Sequence, residues 1–87
     1  MQNAVTVASI EAKIAEEEYL TPASIPHMTI AVLKLKNGFA VVGTSAPADP
    51  ANFSADLGRR FARADAIRQI WPLEGYLLRE QLAGAEG

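Results

Sequence analysis

The dipeptide Asn37-Gly38 lies between two runs of β-forming residues and constrains the fold more than any other feature of this chain. MTIAVLKLK precedes the dipeptide and FAVVGTS follows it. Asn-Gly favours a two-residue type I′ turn, since both central residues of that turn need positive φ angles. The sequence therefore predicts a β-hairpin over residues 28–45, in which Lys36 pairs with Phe39.

This register predicts a hairpin with two unlike faces, because successive side chains of a strand point to opposite sides. The fully apolar face, which we expect to be buried, consists of Ala31, Leu33, Leu35, Ala40 and Val42. The opposite face is apolar at its base and cationic towards the turn, where Lys34 and Lys36 lie. Two strands alone are marginally stable and leave open edges. Either the N-terminal segment adds a strand, or another subunit covers an edge.

Helical spacing marks the segment before the hairpin. Apolar residues recur at intervals of three and four from Val7 to Ile14, which predicts a short amphipathic helix. Thr6 or Ser9 would act as its N-cap. The glutamates at positions 16–18 should end this helix loosely, because negative charge opposes the dipole at a helix C-terminus.

The segment after the hairpin predicts a long helix from Pro50 to about residue 70. Asp49 is a typical N-cap, and proline is favoured at the first helical position. The apolar residues that recur at helical spacing are Phe53, Leu57, Phe61, Ala64, Ile67 and Trp71. Gly58 should allow close packing against the hairpin. Pro72 should bend the chain and open a short C-terminal helix over residues 73–83.

Length and composition agree with a single small α+β domain over residues 1–87. Its elements would be an N-terminal helix, a β-hairpin, a long helix and a short C-terminal helix. The 87 residues include no cysteine, so no disulfide or thiolate metal site can support the fold. A domain of this size often gains core by oligomerising. We therefore expect a homo-oligomer, at least a dimer.

Charge and composition disfavour several function classes. The net charge is −2, whereas a protein that binds double-stranded nucleic acid usually carries a basic excess. No apolar run reaches the ~18–20 residues of a membrane span. His27 is the only histidine, the carboxylates form no obvious pair and no glycine-rich phosphate loop is present. The sequence predicts a protein that is not an enzyme, with no metal and no cofactor.

Arg59, Arg60 and Arg63 form the densest cluster of positive charge. Arg59 and Arg63 are four residues apart and share a helix face. Arginine suits bidentate contacts to phosphate or carboxylate groups, so the cluster is a candidate binding site. The alternative is a solvated helix face whose arginines pair with Asp56 or with the glutamates at 16–18.

Lys34 and Lys36 share a hairpin face with Phe39. A cation beside an aromatic ring suits a nucleotide, with phosphate on lysine and base on the ring. The alternative is an edge lysine pair that guards against aggregation. The remaining cations, such as Lys13 and Arg68, are scattered along the sequence.

Trp71 and Tyr76 flank the predicted bend. Large amphipathic rings most often complete a core or an interface, so we expect Trp71 to be mostly buried, with a ligand platform as the alternative. Gly75 lies between them. A glycine inside a helix indicates close approach of another backbone or of a ligand.

Two sequence blocks at a fixed separation are the most specific feature of the chain. They are LKNGF at 35–39 and WPLEGYLL at 71–78, with Val42-Gly43 and Asp49-Pro50 between them. Together these blocks resemble the gene-49/gene-66 family of small tailed-phage proteins over roughly residues 9–82. The resemblance implies a phage origin and expression in the cytoplasm of a bacterial host. It brings no settled activity.

Residues and resemblance together favour a non-catalytic phage accessory protein that acts stoichiometrically as a homo-oligomer. In its most concrete form it sequesters a small anionic ligand, such as a nucleotide immune signal, and so acts against host defence. The ligand-binding residues would be Lys34, Lys36, Phe39, Arg59, Arg60, Arg63, Trp71 and Tyr76. The alternative is a protein–protein inhibitor of a host enzyme or defence factor.

Overall fold

A three-stranded antiparallel sheet, covered on one face by a long helix, forms the protein. The computed structural model describes residues 4–86, and their side chains as far as residue 84. The elements are α1 (Val7–Glu11), β1 (Ile14–Leu20), β2 (Thr29–Leu35), β3 (Ala40–Ser45), a 3-10 helix (Pro50–Asn52) and α2 (Ala55–Glu86). The strands lie in the order β1-β2-β3. The predicted α+β class is confirmed.

The N-terminal segment forms strand β1, which pairs with the outer edge of β2. Of the two predicted ways to cover this edge, an added N-terminal strand or another subunit, the chain uses the first. The register of β1 places Glu17 opposite Leu33. The predicted helix is therefore wrong beyond Glu11, because the glutamates at 16–18 lie in a strand. Helix propensities differ by less than about 1 kcal/mol per residue. The hydrogen bonds that β1 makes along the edge of β2 contribute more in sum, at about 0.5–1.5 kcal/mol each.

Helix α1 is short, but it begins where the sequence predicts. The Thr6 hydroxyl accepts a hydrogen bond from the Ser9 amide at 3.0 Å, and the Ser9 hydroxyl accepts one from the Thr6 amide at 3.0 Å. This reciprocal capping satisfies two amides that a helix start leaves free. Ile10 is fully buried, so α1 anchors the N-terminal segment on the core.

The turn of the hairpin is a three-residue loop, and the predicted type I′ turn is wrong. The Leu35 amide donates to the Phe39 carbonyl at 2.7 Å, and the Gly38 amide donates to the Leu35 carbonyl at 2.9 Å. This pattern is a type I turn followed by a glycine bulge. Among residues 4–86, only Gly38 has a positive φ, of 91°. Asn37 therefore needs no left-handed conformation, and its side chain accepts a hydrogen bond from the Phe39 amide.

The longer loop moves β3 by one residue relative to β2 and so exchanges the faces of β3. Leu33 pairs with Val41. Val41 is buried, whereas Val42 is 47% exposed and Ala40 is also exposed. The prediction that Ala40 and Val42 lie on the buried face is therefore wrong. The prediction that Phe39 shares a face with Lys34 is wrong for the same reason.

Small residues allow α2 to lie close to the sheet. A Cβ atom on Gly43 of β3 would collide with the backbone of α2 at Ala62 and Ala66. A Cβ atom on Gly58 would meet the Thr29 hydroxyl at 2.5 Å. The predicted close packing at Gly58 is confirmed, and Gly43 provides a second such contact.

The core lies between the sheet and the face of α2 that carries these small residues. Its buried apolar residues are Ile10, Ala31, Leu33, Leu35, Val41, Ala62, Ala66 and Ile70. The apolar residues whose spacing predicts the helix lie largely on the opposite side. Leu57 is 45% exposed, Phe61 59% and Trp71 38%. The prediction that Trp71 is mostly buried is wrong, because the helix approaches the sheet through its smallest side chains.

The start of α2 uses a different cap from the one predicted. Asp49 caps the 3-10 helix by accepting a hydrogen bond from the Ala51 amide at 3.0 Å. The chain then becomes extended at Phe53. The Ser54 hydroxyl accepts from the Leu57 amide at 3.4 Å at the start of the α-helix.

Helix α2 continues through Pro72, so the predicted bend and separate C-terminal helix are wrong. Proline has no amide hydrogen, which leaves the carbonyl of Arg68 without its helical donor. Both residues are exposed, so water can take the place of that donor. The 32 residues of α2 span about 48 Å. The protein measures 55 × 21 × 18 Å, and the last turns of α2 account for the long dimension.

Side chains of α2 also cover the outer edge of β3. Asp65 accepts a hydrogen bond from the Thr44 amide at 3.0 Å, and the Gln69 side chain donates one to the Val42 carbonyl at 2.6 Å. These two backbone groups would otherwise be open to another strand. The β3 edge is therefore protected within a single chain.

Candidate functional site

The eight predicted binding residues lie in separate parts of the molecule. Lys34, Lys36 and Phe39 lie on the hairpin, at or near its turn. Arg60, Arg63 and Trp71 line one depression along α2. Arg59 and Tyr76 lie on α2 outside that depression. The structure brings three of the eight residues together and keeps the lysines apart from the arginines.

The depression on α2 contains one cation that sequence reasoning missed. It has a volume of about 420 Å³ and is lined by Arg60, Arg63, Ala64, Ile67, Arg68 and Trp71. Arg68 follows Arg60 at two steps of four residues. That helical spacing is the signal that could have placed both on one face.

Arg63 is bound by two carboxylates from other elements. Its guanidinium contacts Glu11 of α1 at 2.5 Å and Glu17 of β1 at 2.9 Å. Hydrogen bonds from Arg63 hold the pKa of Glu11 and of Glu17 below the ordinary value for glutamate. The same two carboxylates raise the pKa of Arg63. Arg63 therefore ties α1 and β1 to α2, and its charge is already compensated.

Two further arginines have carboxylate partners on α2 itself. Arg59 contacts Asp56 at 2.6 Å, and Arg68 contacts Asp65. The Thr44 amide, and then Arg68, keep the pKa of Asp65 below its ordinary range. Arg60 has no carboxylate within ion-pair distance among the side chains described. The alternative reading of the cluster, as a helix face paired with carboxylates, holds for Arg59 and Arg63.

A second depression lies between the hairpin turn and α2, and we call it the tip pocket. It has a volume of about 230 Å³ and is lined by Lys13, Leu35, Lys36, Asn37, Glu74 and Leu77. The Lys36 amide donates a hydrogen bond to the Lys13 carbonyl at 2.9 Å, so the two backbones are adjacent. Sequence reasoning missed Lys13, since only the pairing of β1 with β2 brings it to the turn.

Lys34 has a different environment from Lys36. It lies on the face of the sheet away from α2 and opposite Glu16 in the register. A shallow depression there is lined partly by the three glutamates at 16–18. Phe39 is 52% exposed beside the turn. Lys34 is therefore a poorer anion ligand than Lys13 and Lys36.

Lysines that form no ion pair within the described residues are concentrated near the hairpin turn. Lys13, Lys34 and Lys36 are all the lysines of the chain. Within residues 4–84 none of them lies in an ion pair, whereas Arg59, Arg63 and Arg68 all do. The tip pocket combines two ammonium groups, one carboxylate and the apolar side chains of Leu35 and Leu77. Such a site can hold an anionic group with an apolar portion beside it.

In the described part of the chain, no group of three or more acidic or histidine side chains is arranged to hold a metal ion. Within residues 4–86, no helix has the length and apolar character that crossing a membrane requires.

Comparison with known proteins places the chain in one family. Neither the curated proteins nor the solved structures show a significant match to it. Residues 5–82 match the family described as phage protein (N4 Gp49/phage Sf6 gene 66), and this description names no enzymatic activity. The match covers most of the chain, including both sequence blocks that suggest it and both depressions. This chain belongs to the N4 Gp49/phage Sf6 gene 66 family of phage proteins.

Proposed function

We propose that this phage protein is a non-catalytic binding protein that sequesters a small anionic ligand in the cytoplasm of the bacterial host. A nucleotide immune signal is the ligand class that we put forward, which makes the protein an agent against host defence. One observation carries the proposal. Lys13 and Lys36, which have no carboxylate partner among the side chains described, share the tip pocket.

The chemistry of the tip pocket suits one part of a nucleotide. Ammonium groups form charge-assisted contacts to phosphate oxygens. Leu35 and Leu77 offer apolar surface to a sugar or the edge of a base. Pockets that enclose a whole small molecule measure about 300–1,000 Å³, and the tip pocket has about 230 Å³. It therefore suits a phosphate and its sugar, with the base outside the pocket.

Isothermal titration calorimetry against a panel of cyclic and linear nucleotides tests this proposal. Each charge-assisted contact to phosphate contributes about 1.5–3 kcal/mol. At about 1.4 kcal/mol per tenfold, Lys13→Gln with Lys36→Gln should weaken binding by roughly two to four powers of ten. Arg79→Gln is the matched control, because it removes one exposed cation from α2 beyond Pro72, outside the tip pocket. Wild-type protein that binds nothing in the panel contradicts the proposal, as does a double variant that binds like wild type.

A second candidate function is inhibition of a host protein. The exposed residues of α2 beyond Pro72 favour it. Tyr76 is 70% exposed and Leu73 44%, and tyrosine is enriched in the energetic centres of interfaces. Affinity capture from host lysate separates the two functions. An inhibitor should retain one host protein, lose it with Tyr76→Ala, and keep it with Lys13→Gln and Lys36→Gln. In calorimetry, a ligand sponge should lose its nucleotide with Lys13→Gln and Lys36→Gln and should keep it with Tyr76→Ala.

A further inference from the structure

The face of α2 that points away from the sheet has the spacing of a helix–helix interface. Two series of residues seven apart run along it, one of them 57, 64, 71 and 78 and the other 61, 68, 75 and 82. They include Leu57, Phe61 and Trp71, which are the large exposed side chains of the sheet-covered part of the helix. A seven-residue repeat of this kind forms the contact line between two paired helices.

Gly75 is unexplained within a single chain. It lies inside α2, where glycine weakens a helix relative to alanine. A Cβ atom there would meet nothing within 4 Å, so the chain itself does not require glycine at this position. Gly75 belongs to the second series of the repeat. Close approach of another helix would account for it.

Charge complementarity identifies the other helix and its direction. Arg60 lies seven residues before Ile67 and Glu74 seven residues after it, and both flank the contact line. Neither is in an ion pair with any side chain between residues 4 and 84. If a second copy of α2 crosses antiparallel at Ile67, each Arg60 meets Glu74 of the other copy. A parallel pair would instead place like charges together.

The same antiparallel register matches large residues to small ones. Leu57 comes opposite Gly75 of the second copy, and Phe61 comes opposite Trp71. Aromatic rings in contact favour association beyond the area that they bury. Edge-to-edge pairing of sheets is less favourable, because Asp65 and Gln69 cover β3 and β1 carries three adjacent glutamates.

We propose that a second copy of this chain docks antiparallel along α2, with Arg60 of each copy on Glu74 of the other and Gly75 beneath Leu57. This dimer contact shares Glu74 with the tip pocket. Arg60 and Gly75 lie outside that pocket, so variants at these two positions test the dimer separately from the ligand proposal. The dimer contact would also support the distal turns of α2, which contain Pro72 and two glycines.

Sedimentation equilibrium at micromolar concentration tests the contact. Wild-type protein should sediment at twice the chain mass of 9.3 kDa. Arg60→Glu and Glu74→Arg should each raise the dimer dissociation constant by about tenfold, since both copies of the charge pair become repulsive. The double variant Arg60→Glu with Glu74→Arg restores opposite charges and should recover the wild-type constant.

Gly75→Leu provides a steric test that leaves the single chain intact. The Cβ atom of the new side chain has open space around it in its own chain, so helix content should be kept while the dimer is lost. Gly84→Leu is the control, because Gly84 also has open space around it and lies beyond the contact line. A wild type that sediments at 9.3 kDa overturns the proposal. So does a dimer that tolerates both Gly75→Leu and Arg60→Glu.

Discussion

Replacing Gly43 with alanine should destabilise the protein severely, because the added methyl group has no room beneath α2. The new Cβ atom would collide with the backbone at Ala62 and Ala66, and the Ala66 Cα would lie at 2.9 Å. Overpacking of a core typically costs about 1–3 kcal/mol. Here the obstacle is helix backbone, which cannot rotate away as a side chain does. We therefore expect a cost at the upper end, about 3 kcal/mol.

That cost is large for a domain of this size. A stability of about 0.05–0.15 kcal/mol per residue gives roughly 4–13 kcal/mol for the whole chain. A loss of about 3 kcal/mol corresponds to a fall in Tm of about 12–24 °C, at 4–8 °C per kcal/mol. Moving α2 outward to relieve the collision would also open the contact of Gly58 with Thr29, so relaxation brings little relief.

Urea unfolding followed by circular dichroism measures the effect at one fixed protein concentration, because association would make apparent stability depend on concentration. Gly84→Ala is the matched control. Its Cβ atom meets nothing within 4 Å, and alanine in a helix should stabilise by about 0.4–1 kcal/mol. A Gly43→Ala variant with the urea midpoint of wild type would refute the reasoning. It would place Gly43 on the solvent face, as the two-residue turn requires, and would make the register of β3 wrong by one residue.

Three other perturbations follow from the contacts described. Arg63→Gln should cost about 1–2 kcal/mol by thermal unfolding, because it breaks two interelement ion pairs, and Arg59→Gln, which breaks one exposed pair, should cost less than 1 kcal/mol. The folded protein lowers the pKa of both carboxyls that bind Arg63, so the unfolded chain binds more protons in acid. Stability should therefore fall as pH drops below about 4.3, and Arg63→Gln should flatten this dependence. Gly38→Ala should cost about 1–2 kcal/mol, since its φ of 91° strains alanine. Asn37→Ala should cost clearly less by the same measurement, and equal costs would favour a type I′ turn.

The position of the hairpin turn could be predicted from the sequence, but its loop length could not. Asn37-Gly38 identifies where the chain reverses, because Gly38 alone can adopt the positive φ without strain. A two-residue and a three-residue loop both place glycine at such a position. The choice between them depends on which residue of β3 faces the helix. The backbone contact of Gly43 with Ala62 decides it, and that contact joins residues far apart in sequence.

The candidate site could also be predicted only where neighbouring residues in the sequence determine it. Arg60, Arg63 and Trp71 could be grouped from helical spacing alone, and Arg68 could have been added to them. Lys13 could not be placed at the hairpin turn, because glutamates 16–18 favour helix and give no local sign of a strand. Lys13 lies beside Lys36 because β1 pairs with the edge of β2.

The two faces of α2 separate folding from assembly. The face with Gly58, Ala62 and Ala66 is fixed by how closely a helix can lie on this sheet, so substitutions there should change the stability of each chain. Bulky side chains such as Phe61 would hold the helix away from the sheet, which accounts for their position on the outer face. One layer of helix on one sheet gives them nothing to pack against within the chain. Gly43→Ala should therefore destabilise each chain, whereas Gly75→Leu should only separate its copies, and an outcome with the two effects exchanged would contradict this division.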